Sequence, residues 1–377
     1  MKKIFPAVCF AVFLQIFPAC RAYALEESDI SAKAAIVISA DTGEIIFGKN
    51  YNEKLPMAST TKIMTTLLCL ESGNLYEEFV VDSDAIKVEG SSMGLTEGDI
   101  VTKYALCCGM LLPSGNDAAN ATAVKLAGSI ENFAVMMNEK AEELGLSNTY
   151  FVTPSGLEGV GHGSSARDMA ILASVALQND LFREICSSQS IKLEFGNPPY
   201  TRWLKNTNKL LSMDSGVYGV KTGFTDEAGR CLVSACERDG KNLICVTLND
   251  RNDWNDHLMM YDYAFQCARR ITLDIPDNIS LNLAGAEKSY IKVCAGEAET
   301  DITAFHANEN DIEYKIISAP FAYAPVSAGD KLAYISVRYK SHEVRKIPLY
   351  AAENAQSAVP AEKKKSLIEK IRHFLFG

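Results

Sequence analysis

The chain has 377 residues, 47 % hydrophobic and 22 % charged, with a formal net charge of −10. That is an ordinary globular composition, long enough for two or three domains with a sizeable core. The acidic balance argues against a nucleic-acid partner, because phosphate binding needs clustered Lys and Arg.

The first 24 residues read as an export signal. Lys2 and Lys3 form a basic start, Ile4 to Pro18 is mostly apolar, and Ala22-Tyr23-Ala24 fits small-x-small cleavage. An uncleaved anchor and a lipoprotein centred on Cys20 are the weaker alternatives. The mature chain is expected to start near Leu25 and to act outside the cytoplasmic membrane. It keeps nine cysteines, an odd number with no C-x-x-C spacing, mostly in apolar runs such as Ile244-Cys245-Val246. They read as buried thiols rather than a disulfide framework or a zinc site.

Ala34 to Phe47 reads as a hairpin turning at Asp41-Thr42-Gly43. Apolar periodicity then predicts helices over Ser59–Glu71, Lys103–Leu112, Asp117–Leu126, Ile130–Leu144 and Ala166–Leu177. Strand patterns return at Gly219–Lys221, Arg230–Ala235 and Asn242–Leu248, before a helix over Trp254–Arg269. Strands at both ends of a helical middle imply an antiparallel sheet with helices packed on it. From about Arg270 short alternating segments indicate a small all-β domain, reaching residue 352. A linker follows, and Lys363–Gly377 is basic and amphipathic, with the periodicity of a helix lying on a membrane surface. The expected domains are thus 1–24 signal, 25–269 catalytic, 270–352 β-sandwich-like, and 353–377 linker with anchoring helix.

Three short motifs carry chemistry. In Ser59-Thr60-Thr61-Lys62 helical spacing puts the Lys62 amine beside the Ser59 hydroxyl, and a serine needs such a base to attack a carbonyl. In Ser114-Gly115-Asn116 the hydroxyl can relay a proton, and the amide can bond Lys62 and substrate backbone. In Lys221-Thr222-Gly223, on a strand, Lys221 supplies charge, Thr222 can hold a carboxylate, and Gly223 permits close approach of a peptide. Each motif alone is commonplace: a turn, a helix cap or a strand end.

Together, and in this order, they resemble those of the low-molecular-mass D-alanyl-D-alanine carboxypeptidases, the penicillin-binding protein 5-like serine peptidases. Pro154-Ser155-Gly156-Leu157, His162, Ser164 to Ala170 and the stretch to Gly229 extend the likeness. The resemblance implies a three-layer α/β (α+β) catalytic domain of the β-lactamase/transpeptidase type, with a mostly antiparallel sheet of about five strands. It implies an acyl-enzyme on Ser59 with Lys62 as base, and an oxyanion hole from the Ser59 and Phe224 amides. Ser114 and Lys221 would move protons and Thr222 would hold the substrate carboxylate. The expected partners are a peptidoglycan stem peptide, β-lactams as covalent inhibitors, and a membrane surface; no cofactor or metal is expected. Relatives commonly carry histidine where Phe224 stands, and an arginine near the carboxylate, for which Arg251 and Arg202 are candidates. The five histidines read as structural. The rival functions are a β-lactamase, needing a deacylating glutamate such as Glu142, Glu143 or Glu158, and a non-catalytic β-lactam or cell-wall sensor. A transpeptidase or endopeptidase would share every motif.

Overall fold

The computed structural model describes residues 25–297, 301–305, 311–340 and 342–358. The export signal, the basic terminal segment, His306 and His373 lie outside the described residues.

The N-terminal hairpin is β1 (Ala34–Ser39) and β2 (Ile45–Lys49), turning through Gly43 at a φ of 70°. A 3-10 turn, Ala58–Thr61, leads into α1 (Lys62–Glu71). A short ribbon, β3 (Glu78–Val80) with β4 (Ile100–Thr102), brackets a long loop. The helical middle follows: α2 (Lys103–Leu111), α3 (Asn116–Ala127), α4 (Ile130–Glu143), α5 (Ala166–Ala176) and α6 (Asp180–Ser187). A hairpin of β5 (Ser190–Gly196) and β6 (Pro199–Lys205) and a single turn, α7 (Leu210–Met213), precede the main strands β7 (Val217–Thr225), β8 (Gly229–Arg238) and β9 (Lys241–Leu248). Helix α8 (Asp253–Cys267) closes this part.

The five-stranded sheet has the order β2-β1-β9-β8-β7, antiparallel at every pairing. Alternation along the strands decides which layer each residue meets. Ile36, Ile38, Val233, Ile244 and Val246 pack against the helical cluster. Ala35, Val37, Leu232, Leu243 and Cys245 pack on the other side against Met260, Tyr261 and Ala264 of α8. Strand β1 is buried along its whole length, which explains its unbroken apolar run. Strand β7 lies at the edge of the sheet, with one row of backbone groups left open.

The remaining strands are β10 (Arg269–Thr272), β11 (Ile279–Ala284), β12 (Tyr290–Ala295), β13 (Asp301–Ala304), β14 (Ile312–Ser318), β15 (Ala322–Tyr323), β16 (Lys331–Tyr339) and β17 (His342–Ala351). Six form one sheet, β14-β16-β17-β12-β11-β15, and β10 pairs with β13. Ile271 and Ile302 of that ribbon share a core with Leu281, Ile335, Val337 and Leu349. The ribbon also joins the first sheet: Ser39 Oγ donates to Thr303 O at 2.6 Å, and Asn242 N–H to Thr303 Oγ1 at 2.8 Å.

Two sequence expectations need correction. The last helix stops at Cys267, and Arg269 already belongs to β10, where it pairs with Ala304. Ser59 does not sit on an α-helix but on the 3-10 turn before it. Thr60 Oγ1 donates to Met57 O at 2.6 Å and Thr61 Oγ1 to Ala58 O at 2.8 Å, and these side-chain bonds tighten the turn. Seven of the nine described cysteines are buried, all nine are free thiols, and only Cys294 is exposed.

Candidate active site

Ser59 is held half-exposed by a deliberately tight backbone. Ala58, just before it, has a φ of 48°, a left-handed conformation that costs a non-glycine residue about 1 kcal/mol or more. Gly156 packs onto this turn with a φ of 87°; a Cβ there would lie 2.0 Å from Ala58 O. His162 braces the same turn. Its Nδ1 accepts the Val152 N–H at 3.0 Å, so the ring proton sits on Nε2 and is donated to Thr61 Oγ1 at 3.0 Å. Burial, with the Lys54 charge in second place, depresses its pKa to about 4. It is a neutral strut.

Lys62 is completely buried. Its Nζ lies 2.9 Å from Ser59 Oγ, 2.7 Å from Asn116 Oδ1 and 2.6 Å from Ser155 O. The Asn116 orientation is fixed from behind, because its Nδ2 donates to Glu89 O at 2.7 Å. Asn116 Oδ1 and Ser155 O can only accept. A neutral Lys62 therefore spends both N–H groups on them and turns its lone pair to the Ser59 hydroxyl. Burial pushes the Lys62 pKa well below its usual value and the neighbouring Lys221 charge adds to this; Asp117 opposes it. These are the conditions under which a lysine serves as a base at neutral pH.

Ser114 and Asn116 come from the start of α3. Ser114 is buried at a φ of 67°, so the chain reverses there before the helix begins at Asn116. Asp117, whose role the sequence did not disclose, anchors the facing loop. Its carboxylate accepts the Ser92 hydroxyl at 2.6 Å and the backbone N–H groups of Met93, Gly94 and Leu95 at 2.9 to 3.1 Å.

The third wall is edge strand β7. Lys221 is buried and donates to Thr222 O at 2.7 Å; burial lowers its pKa to about 7. Gly223 passes so close to the nucleophile turn that a Cβ would sit 3.1 Å from Ser59 N. Thr222 Oγ1 meets Thr207 Oγ1 at 2.7 Å, a partner absent from the sequence reading. Phe224, 63 % exposed, lines a cleft of about 730 Å3 together with Ser155, Leu157, Glu158 and Asp226.

Direct contacts thus join Ser59, Lys62 and Asn116, with Gly223 against the same turn and the Lys221 charge felt at Lys62; Ser114 is a chain neighbour of this group with no hydrogen bond to Ser59 or Lys62 among the described residues, and neither candidate arginine joins it. Arg202 is buried between the rings of Phe195 and Tyr200, and its guanidinium bonds Gly94 O and Asp99. Arg251 is exposed in the turn before α8. Glu142 and Glu143 are exposed at the end of α4, and only Glu158 reaches the cleft. Among the described residues no group of His, Cys, Asp and Glu is arranged to hold a metal ion.

The chain is similar to several known proteins along most of its length. A profile of the D-alanyl-D-alanine carboxypeptidase family matches residues 21–252. The chain is 31 % identical over 376 residues to D-alanyl-D-alanine carboxypeptidase DacF of Bacillus subtilis, spanning 95 % of this chain and 96 % of that protein. Its fold is similar to that of the D-alanyl-D-alanine carboxypeptidase DacD from Francisella tularensis, with a TM-score of 0.63 at 23 % identity, over 89 % of this chain and 96 % of that one. The Streptomyces K15 DD-transpeptidase is 32 % identical, with a TM-score of 0.60, over 63 % of this chain and 98 % of its own. On these matches the chain belongs to the D-alanyl-D-alanine carboxypeptidase family.

Proposed function

We propose that this protein is an exported serine carboxypeptidase that removes the terminal D-alanine from peptidoglycan stem peptides. The observation that carries this reading is the buried Lys62 amine, held between two obligate acceptors with its remaining valence on Ser59 Oγ at 2.9 Å.

In the first step Ser59 Oγ attacks the carbonyl of the penultimate D-alanine while Lys62 takes its proton. The Ser59 and Phe224 amides receive the oxyanion, with Gly223 allowing the substrate to lie on β7. The C–N bond then breaks, and the proton passes from Lys62 through the Ser114 hydroxyl to the leaving amine. Lys221 and the Thr207–Thr222 hydroxyl pair hold the terminal carboxylate. In the second step water adds to the acyl-enzyme, Lys62 takes its proton, and the C–Oγ bond breaks as Oγ regains a proton. A β-lactam would acylate Ser59 by the same first step, its amide nitrogen remaining tethered.

The chain division stands as part of this proposal: signal 1–24, catalytic part 25–269, β part 270–352, and a basic amphipathic tail that rests on the membrane surface. No helix among the described residues is long and apolar enough to cross a membrane. The test is D-alanine release from a diacyl-L-Lys-D-Ala-D-Ala peptide by the signal-free protein, beside cleavage of a cross-linked muropeptide dimer. Release from the simple peptide supports the reading. Cleavage of the dimer alone would make the protein an endopeptidase, and transfer to an added amine without release would make it a transpeptidase.

A further inference from the structure

Arg202 does not touch the reacting atoms, yet its contacts lead to them. It lies on β6 with its side chain 9 % exposed, between the rings of Phe195 and Tyr200, 4.0 and 4.2 Å from their centres. One amino group of its guanidinium donates to Gly94 O, and the other to Asp99 Oδ2 at 3.2 Å. Asp99 is buried as well and accepts the Thr96 N–H at 3.0 Å. Taking two charges out of water costs about as much as their pairing returns, so such a pair adds little net stability over apolar side chains of the same size. What it supplies is geometry, because a planar guanidinium packed between two rings presents its N–H groups in one fixed direction.

Gly94 and Asp99 both belong to the long loop between β3 and β4, and Gly94 is gripped from two sides. Arg202 holds its carbonyl, while the Asp117 carboxylate of α3 accepts its N–H at 3.1 Å, together with those of Met93 at 2.9 Å and Leu95 at 3.0 Å. A few residues earlier the same loop holds Asn116. Ser91 O accepts the Asn116 backbone N–H at 2.7 Å, and Glu89 O accepts its Nδ2 at 2.7 Å. Gly90, between them, comes so close that a Cβ would sit 2.8 Å from that Nδ2. The Asn116 Oδ1 fixed in this way accepts from Lys62 Nζ at 2.7 Å. Direct contacts thus run from Arg202 through Gly94 and its loop to Asn116, Lys62 and Ser59. We propose that Arg202 is a positioning residue for the Lys62 base: it clamps the loop against α3, and the Asn116 carboxamide so held keeps Lys62 aimed at the Ser59 hydroxyl. This rests on the serine acyl-enzyme reading given above.

The test is a four-way cycle. The rate of Ser59 acylation by benzylpenicillin is measured for the wild type, Arg202→Met, Asn116→Ala and the double variant, beside the thermal unfolding of each. Methionine keeps the packing between the rings and gives up the hydrogen bonds. In the wild-type background Arg202→Met should slow acylation about 10- to 100-fold, the scale of a reacting group displaced by about an ångström. In the Asn116→Ala background it should change the rate little, because residues that act through one another are not additive. Arg202→Lys, which can still reach one of the two acceptors, should recover part of the rate, and it carries the same cycle if the methionine variant is unfolded at the assay temperature. Equal slowing in both backgrounds overturns the proposal, since Arg202 would then act on the fold at large and not through Asn116. Unchanged acylation in folded Arg202→Met or Arg202→Lys overturns it as well, and leaves the acyl-enzyme reading intact. A wild-type protein that is not acylated at all defeats that reading, and the positioning role with it.

Discussion

Lys62 and Lys221 are both buried, and in the proposed mechanism they have different tasks that pH separates. Lys62 must be neutral to act as base, and the Lys221 charge presses its pKa down beyond the effect of burial. Lys221 must be charged to hold a carboxylate, and its pKa is about 7. The kcat/KM profile should therefore be a bell: activity falls on the acid side as Lys62 is protonated, and on the alkaline side as Lys221 loses its proton. Lys221→Arg should move the alkaline limb upward, because a guanidinium stays charged, and an unchanged limb would assign it to another group. Lys62→Met should cut acylation about 10²- to 10⁴-fold. Thr207→Val removes the hydroxyl that meets Thr222 at 2.7 Å, and should lower kcat/KM about 2- to 10-fold, mostly through KM.

At the scale of elements, the nucleophile is aimed by a turn whose geometry is paid for by its neighbours. Gly156 is the clearest case, since Gly156→Ala would force a methyl into Ala58 O at a positive φ. It should lower stability by roughly 1–3 kcal/mol and depress acylation beyond what that loss explains, read by thermal unfolding and β-lactam labelling. Most of these elements were legible in the sequence. The hairpin of β1 and β2 and helices α1 to α5 announce themselves by turn glycines and apolar periodicity, and Ser59, Lys62 and Asn116 by their spacing. Other features were not legible, each for a physical reason. Strand β6 buries only Arg202 and Leu204 and shows no apolar run. Strand β13 has four residues, too few for a period. The 3-10 turn depends on threonine hydroxyls bonding back, and Thr207 and Asp117 show their roles only through contacts that cross the chain.

For the whole molecule, the five-stranded sheet pairs β1 with β9 side by side although the entire helical middle lies between them in the chain. The β-rich part is attached at that same junction: Arg345 reaches Asp41 at 3.2 Å and Lys340 reaches Glu44 at 2.9 Å. Both pairs meet the β1–β2 turn, on the opposite end of the sheet order from β7. On the proposed anchoring by the terminal segment, a protein lacking residues 359–377 should keep full peptidase activity in solution and not float with anionic vesicles, whereas the full chain should. Continued flotation of that shortened protein would move the membrane contact elsewhere.

The central claim is a covalent bond on Ser59, and mass spectrometry of the acid-quenched protein tests it most directly. After incubation with benzylpenicillin, the account predicts one added penicilloyl group, on the peptide that carries Ser59, absent from Ser59→Ala and strongly slowed in Lys62→Met. An adduct on any other residue, or an adduct that persists in Ser59→Ala, would contradict it.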